Sequence, residues 1–249
     1  MQSIVRRVAV GLAAVARDKV AKEAEELCAS GQCAAAVVPL QRAIYLGDLS
    51  SRARMAHMLL DGREGVAKDM IGAFKLANKG ARWGCHHCQG VLALCYWGYG
   101  PGSACLRDGP RALELARESS GKGSRYGQCT LGRLYHYGII GVLAQDHAQA
   151  VAMYRLAAAQ NLDTAQWSLG NIYEIGSVSG GVARDRVEAL RLYQLAAAQG
   201  YPAALCSVAE CYKFGRGVRK DKAEAIRWYR RAQAGNPSAA YALSNLLAS

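Results

Sequence analysis

From Asp163 to Gly200 the apolar positions fall on two helical stripes with a polar interruption between them. Ala165, Leu169, Ile172 and Tyr173 recur at intervals of three and four, the spacing of one helix face. The segment from Gly176 to Ala183 carries three glycines and two serines and predicts a loop. Asp185 stands where an N-cap or first-turn acid is favoured. Ala189, Leu192, Tyr193, Ala196 and Ala197 then make a second stripe that Gly200 ends. The chain restarts at Tyr201-Pro202, proline being tolerated in a first turn. This stretch predicts a helix, a glycine-rich turn and a second helix.

The same design is written upstream over residues 125 to 161 and downstream over residues 201 to 235. Asp69, Asp108, Asp146, Asp185 and Asp221, each opening the second half of a unit, are separated by steps of 39, 38, 39 and 36 residues. A fixed period of this length is the signature of a repeat array. Gly132, Gly170 and Ala209 share one first-helix position, with Ala93 and Ala56 earlier, and their small size lets the partner helix come close. Tyr135, Tyr173 and Tyr212, with Tyr96 in a divergent copy, are expected to plug the space those small residues leave, a packing role rather than a catalytic one.

The wording of the units, LGRLYHYG, SLGNIYEIG, GVARDRVEALRLYQLAAAQG and GRGVRKDKAEAIRWYRRAQAG, resembles the Sel-one-like repeat of the tetratricopeptide superfamily. The period also exceeds that of the plain tetratricopeptide unit, near 34 residues. The resemblance covers Arg52 to Ser249. It implies an all-α fold, an α-solenoid wound as a right-handed superhelix of stacked helix-turn-helix units. It also implies a protein that binds other proteins and is not an enzyme.

Five units are expected within residues 52–235, at about 52–80, 81–123, 124–161, 162–200 and 201–235, with a C-terminal capping helix over 236–249. Residues 1–51 are expected to form an N-terminal helical cap with a degenerate repeat. The start, MQSIVRRVAVGLAAVAR, has three arginines and no acid before Asp18, which leaves two readings: a mitochondrial presequence, or a capping helix that runs on and packs against the first repeat. Its apolar run is too short to span a membrane. Gly31 to Gly47 reads as the second helix of a degenerate unit in which Pro39 marks a kink or a late start. Pro237 to Ser249 restarts a first helix and covers the last apolar face.

Half of the 249 residues are hydrophobic and 20% are charged, enough for a continuous helical seam that makes one domain. The net charge of +12 is concentrated in part at the C-terminal end, in Lys213, Arg216, Arg219, Lys220, Lys222, Arg227, Arg230 and Arg231. That end suits an acidic partner, or is simply the solvated face of a terminal repeat. No stacking aromatics or known nucleic-acid module accompany the charge, so no nucleic acid is expected.

Nine cysteines cannot all pair within the chain. Some secreted bacterial members of the resembled family carry one disulfide per repeat. Here the second helices opened by Asp108, Asp146, Asp185 and Asp221 contain no cysteine to complete it. Reduced, buried thiols and a cytoplasmic setting are expected, with a mitochondrial one as the alternative. Cys85-His86-His87-Cys88 is the one metal-like cluster. Cys85 and Cys88 are the only metal candidates, and their spacing to Cys95 and Cys105 matches no zinc pattern. No metal and no cofactor are therefore assigned. The Gly-Arg-Gly at 215–217 follows no strand and precedes no Gly-Lys-Ser or Gly-Lys-Thr, so it reads as a turn and not as a phosphate cradle.

If the units stack as the resemblance implies, the first helices line the concave face, and the positions that vary between copies are where a partner is read. These are Arg133 and His136, Asn171 and Glu174, and Glu210 and Lys213 in successive units, with Trp97 and Trp167 as aromatic anchors or wedges lodged between units. The expected function is a scaffold or adaptor that holds a partner's peptide or helix in this groove, assisting assembly, signalling or regulation of a larger complex. The alternative is a metal-binding or enzyme-associated regulatory module centred on Cys85 and Cys88.

Overall fold

The structure, a computed structural model, describes residues 2–98, 108–233 and 236–248. Among these residues the chain forms thirteen α-helices and no strand. The pairs are α1 (Gln2–Ala29) with α2 (Cys33–Tyr45), α3 (Leu49–Asp61) with α4 (Met70–Arg82), and α5 (His86–Gly98) with α6 (Gly109–Gly121). Next come α7 (Arg125–Tyr137) with α8 (His147–Ala159), α9 (Asp163–Ile175) with α10 (Arg186–Ala198), and α11 (Pro202–Phe214) with α12 (Lys222–Ala232), followed by α13 (Pro237–Ala248). Each helix packs on its pair-mate and on the helix that follows, which makes an α-solenoid. No helix of the described residues is long and apolar enough to cross a membrane.

The marker aspartates are helix caps. The carboxylates of Asp69, Asp108, Asp146, Asp185 and Asp221 accept backbone N–H groups in the first turn of α4, α6, α8, α10 and α12. Those donors would otherwise lack partners, which is why an acid recurs at each second-helix start. The first helices α3, α7, α9 and α11 each end at a glycine with positive φ, Gly62, Gly138, Gly176 and Gly215. The loop that follows then packs on the preceding unit. A Cβ placed on Gly217 would lie 2.1 Å from the Arg186 carbonyl oxygen, at the start of α10.

The same contact identifies what the N-terminal hairpin is. Gly65, in the loop after α3, presses on Ala34 at the start of α2, where an added Cβ would stand 2.5 Å away. The hairpin α1–α2 therefore sits against α3–α4 as each later pair sits against its successor. Pro39 lies well inside α2, and the helix passes through it instead of starting late. The loop of the divergent unit, with Cys105, falls outside the described residues.

Close approach of the paired helices rests on the small residues, but the aromatic partners are not the expected ones. A Cβ on Gly170 would meet the Tyr193 ring at 2.7 Å, and one on Gly132 would meet the Tyr154 ring at 3.0 Å. Tyr154, Tyr193 and Tyr229, from the second helices, are at most 2% exposed. Tyr135, Tyr173 and Tyr212 are only half-buried at the end of the first helices. A first-helix tyrosine shares its helix with the small residue, so it cannot reach across to fill the space facing it. Only a residue of the second helix is on the far side.

Burial separates the two helix sets. The second helix α4 buries only Ala73, Ala77 and Gly80, a single stripe. By contrast, α7 buries Tyr126, Gln128, Thr130 and Leu131 as well as Cys129, Gly132 and Leu134, so it is covered nearly all round. The first helices are inside the coil and the second helices outside. The coil is also tight enough to touch itself: the Cys33 thiol, after the α1–α2 turn, donates to the Gln199 carbonyl at 3.7 Å.

Candidate functional site

At its N-terminal part the inner face is filled by the protein itself. The Arg63 guanidinium is 2.9 Å from the Asp163 carboxylate, 3.6 Å from that of Asp61, and 4.7 Å above the Tyr201 ring. His57 Nε2 lies 3.5 Å from Thr164 Oγ1, and its ring packs on Tyr126 at 5.0 Å. Burial holds His57 to a pKa of about 4 against the pull of Asp61, so near neutral pH the 3.6 Å contact between them joins a neutral imidazole to a carboxylate. Burial would raise the Asp163 carboxyl, but Arg63 and then His57 outweigh it and hold the pKa below the usual value.

Beyond this plug the inner face opens into a cleft of about 420 Å³ between α7, α8 and α9. Arg133, His136, Trp167, Asn171 and Glu174 line it, five of the eight inner-face positions that the sequence points to. Trp97 stands at its edge through Tyr137, on which it stacks at 5.4 Å. Glu210 and Lys213 lie outside. Glu210 is exposed with its carboxylate 4.0 Å from Arg216, and Lys213 lies 5.0 Å over the Phe214 ring.

The side chains of the cleft are held from behind. Tyr193 Oη, with one proton to share between them, stands 2.7 Å from Asn171 Oδ1 and 2.8 Å from Glu174 Oε2, and Arg216 donates to Glu174 Oε1 at 2.7 Å. Trp167 Nε1 donates to Ser207 Oγ of the next unit at 3.0 Å, and its ring meets Tyr201 edge-on at 5.7 Å, so this tryptophan both lines the cleft and wedges two units. The imidazoles of His136 and His147 meet edge-on at 5.0 Å. Burial, and then His147, lower the pKa of His136. A guanidinium, a carboxylate and an amide, set among Trp167, Tyr137, Ile172 and Ile175, can recognise a chain that is polar on one side and apolar on the other.

Tyr137, His147 and Ile175 were not singled out in the sequence. Tyr137 and Ile175 share the position before the loop glycine, where an exposed apolar residue in consecutive copies is the available signal. His147 comes from a second helix, and nothing in the periodic pattern places it here.

The cysteine pair is organised differently from a metal centre. Cys85 is the N-cap of α5, its carbonyl accepting from Gln89 N at 2.9 Å. Its sulfur accepts from Cys88 N at 3.3 Å, and both thiols donate to the Leu49 carbonyl at 3.6 Å. His87 turns to Ser124 Oγ, 3.0 Å away. Among the described residues no group of three or more Cys, His, Asp or Glu is placed to hold a metal ion. The eight described cysteines are free thiols, all buried except the half-buried Cys206.

The model of the Sel1 repeat matches residues 49–84, 91–124, 125–162, 163–201 and 202–233. Among solved structures, a Sel1 repeat protein from Oxalobacter formigenes is 25% identical with a TM-score of 0.58, over 92% of this chain and 90% of that one. A protective antigen of uropathogenic Escherichia coli strains displaying the same repeat fold is 28% identical with a TM-score of 0.56, over 83% of this chain and 43% of its own. A Sel1 repeat protein from Klebsiella pneumoniae is 22% identical with a TM-score of 0.51, over 83% and 97%. No curated protein matches the sequence.

Proposed function

Because the chain belongs to the Sel1 repeat family, whose members are generally non-catalytic scaffolds for protein interaction, we propose that it is an adaptor. It takes an extended peptide segment of a partner protein into the cleft between α7, α8 and α9. The observation that carries this reading is the convergence of Arg133, His136, Trp167, Asn171 and Glu174 on one open cleft, while the inner face beside it is closed by Arg63 and Asp163. Tyr193 and Arg216 hold Asn171 and Glu174 in place before anything binds, which lowers the ordering cost of recognition. A peptide's backbone amides suit Asn171 and Glu174, and an apolar side chain suits the walls formed by Trp167 and Ile172.

Peptides selected on the wild-type chain from a random displayed library test the proposal. Asn171→Arg, which fills the cleft from an inner-helix position, is expected to weaken their binding at least about tenfold, a loss of about 1.4 kcal/mol. Reversing the exposed charges at the far end, Arg227→Glu with Arg230→Glu, is expected to leave that binding in place. The opposite pattern would move the contact surface to the basic end and its acidic partner.

A further inference from the structure

We propose that Cys85 and Cys88 form a thiol–disulfide exchange site that reacts with low-molecular-weight disulfides. The two residues occupy the N-cap and the third position of α5, one helical turn apart. The Cys88 N–H donates to the Cys85 sulfur, and both S–H groups reach the same Leu49 carbonyl oxygen at 3.6 Å. Sulfurs held side by side in this way need little backbone movement to join. The N–H groups at the start of α5, one of which points at the Cys85 sulfur, and the dipole behind them favour a thiolate at Cys85.

The pair also divides the labour of exchange. Cys88 is fully buried, with its sulfur packed so close to Gly80 that an added Cβ there would stand 2.2 Å from it. Cys85 keeps 6% of its surface and follows the open turn of Gly84, around which nothing lies within 4 Å of a Cβ, with Trp83 half exposed beside it. An entering disulfide meets Cys85 first. The neighbouring Cys88 thiol, and then the backbone N–H groups of Cys88 and His87, lower the Cys85 thiol against the effect of burial, while the same contact and burial raise Cys88. Burial raises Cys28, Cys33, Cys95, Cys129, Cys206 and Cys211 instead.

The reaction balances without any further oxidant. The Cys85 thiolate attacks one sulfur of R–S–S–R, forming a protein mixed disulfide and releasing one thiolate that takes up the Cys85 proton from solvent. The Cys88 sulfur then attacks Cys85, closing the intrachain disulfide and releasing the second R–S group, which leaves with the Cys88 proton. Two protein thiols are oxidised and one small disulfide is reduced to two thiols.

The reduced 249-residue chain, equilibrated over a series of glutathione disulfide to glutathione ratios, then quenched, alkylated after denaturation and digested, tests this. The peptide carrying Cys85 and Cys88 is expected to appear lighter by two hydrogens at ratios where Cys28, Cys33, Cys95, Cys129 and Cys211 are still alkylated. Cys88→Ser is expected to trap glutathione on Cys85, and Cys85→Ser to leave Cys88 without an adduct. Should either variant lose its helical circular dichroism, the wild type decides: iodoacetamide is expected to modify Cys85 at least about tenfold faster than Cys88 and the raised, buried thiols. A pair that stays reduced across the series overturns the proposal. So does another linkage forming first, or zinc bound at one per chain that must be removed before exchange occurs.

Discussion

Arg63 Nη2 donates to Asp163 Oδ2 at 2.9 Å across a sequence separation of 100 residues, and both side chains are buried. This bond joins the loop of the first unit to the start of the fourth, and Tyr201 of the fifth stacks beneath the guanidinium. It closes the inner face at one end and so decides where the open cleft begins.

Replacing Arg63 by Met leaves Asp163 and Asp61 buried without their cation. The expected loss is about 3–5 kcal/mol in urea unfolding, with much of it recovered in the double variant Arg63→Met, Asp163→Asn. A single-variant loss below about 1 kcal/mol would show that the coil does not hold this closure in solution.

Acid should loosen the same plug. His57 has a folded pKa of about 4, below its ordinary value of about 6.5, so the unfolded chain binds the extra proton between those limits. The stabilisation from keeping the ring neutral is complete above about pH 6.5 and is lost as the pH falls toward 4, amounting to about 3 kcal/mol for this one group. Urea titrations at pH 7 and pH 4.5 should differ, and the difference should shrink in His57→Gln. An unchanged pH dependence in that variant would remove His57 as its source.

The small-residue position should be graded. Gly170→Ala places a Cβ 2.7 Å from the Tyr193 ring and should cost about 1–3 kcal/mol, whereas Gly132→Ala meets Tyr154 at 3.0 Å and should cost less. Thermal unfolding of the two variants compares them directly, and equal losses would mean that the ring contact does not set the tolerance.

The capping role of the marker aspartates is testable at Asp185, whose Oδ1 accepts from Val187 N and Glu188 N, each at 3.0 Å. Asp185→Ala should cost about 1 kcal/mol and Asp185→Asn much less, because the amide oxygen still caps. Equal losses for the two would point to charge rather than capping.

The periodic features of the chain are legible in its sequence. Helix pairs, their glycine stops, their aspartate caps and the small residues between them recur in every unit. Each depends on contacts within one turn of helix or with the next copy, so local chemistry writes them repeatedly. The tyrosines that face the glycines stand on the second helices and not, as the pattern suggests, on the first, because a repeat pattern shows which residues recur and not which side of a helix pair they stand on.

The sequence by itself determined a solenoid and named eight inner positions, five of which meet at the cleft. Only the tertiary structure decided that the inner face is sealed at one end, that His147 reaches the cleft from an outer helix, and that Cys85 and Cys88 face one carbonyl. Asp163 has no counterpart in the other copies, and Arg216, which follows its loop glycine as Arg63 does, turns to Glu174 instead, so the Arg63–Asp163 contact depends on how far each unit rotates against the last. That rotation is a small angle set by packing at every interface and summed over several units, and no single repeat encodes the sum.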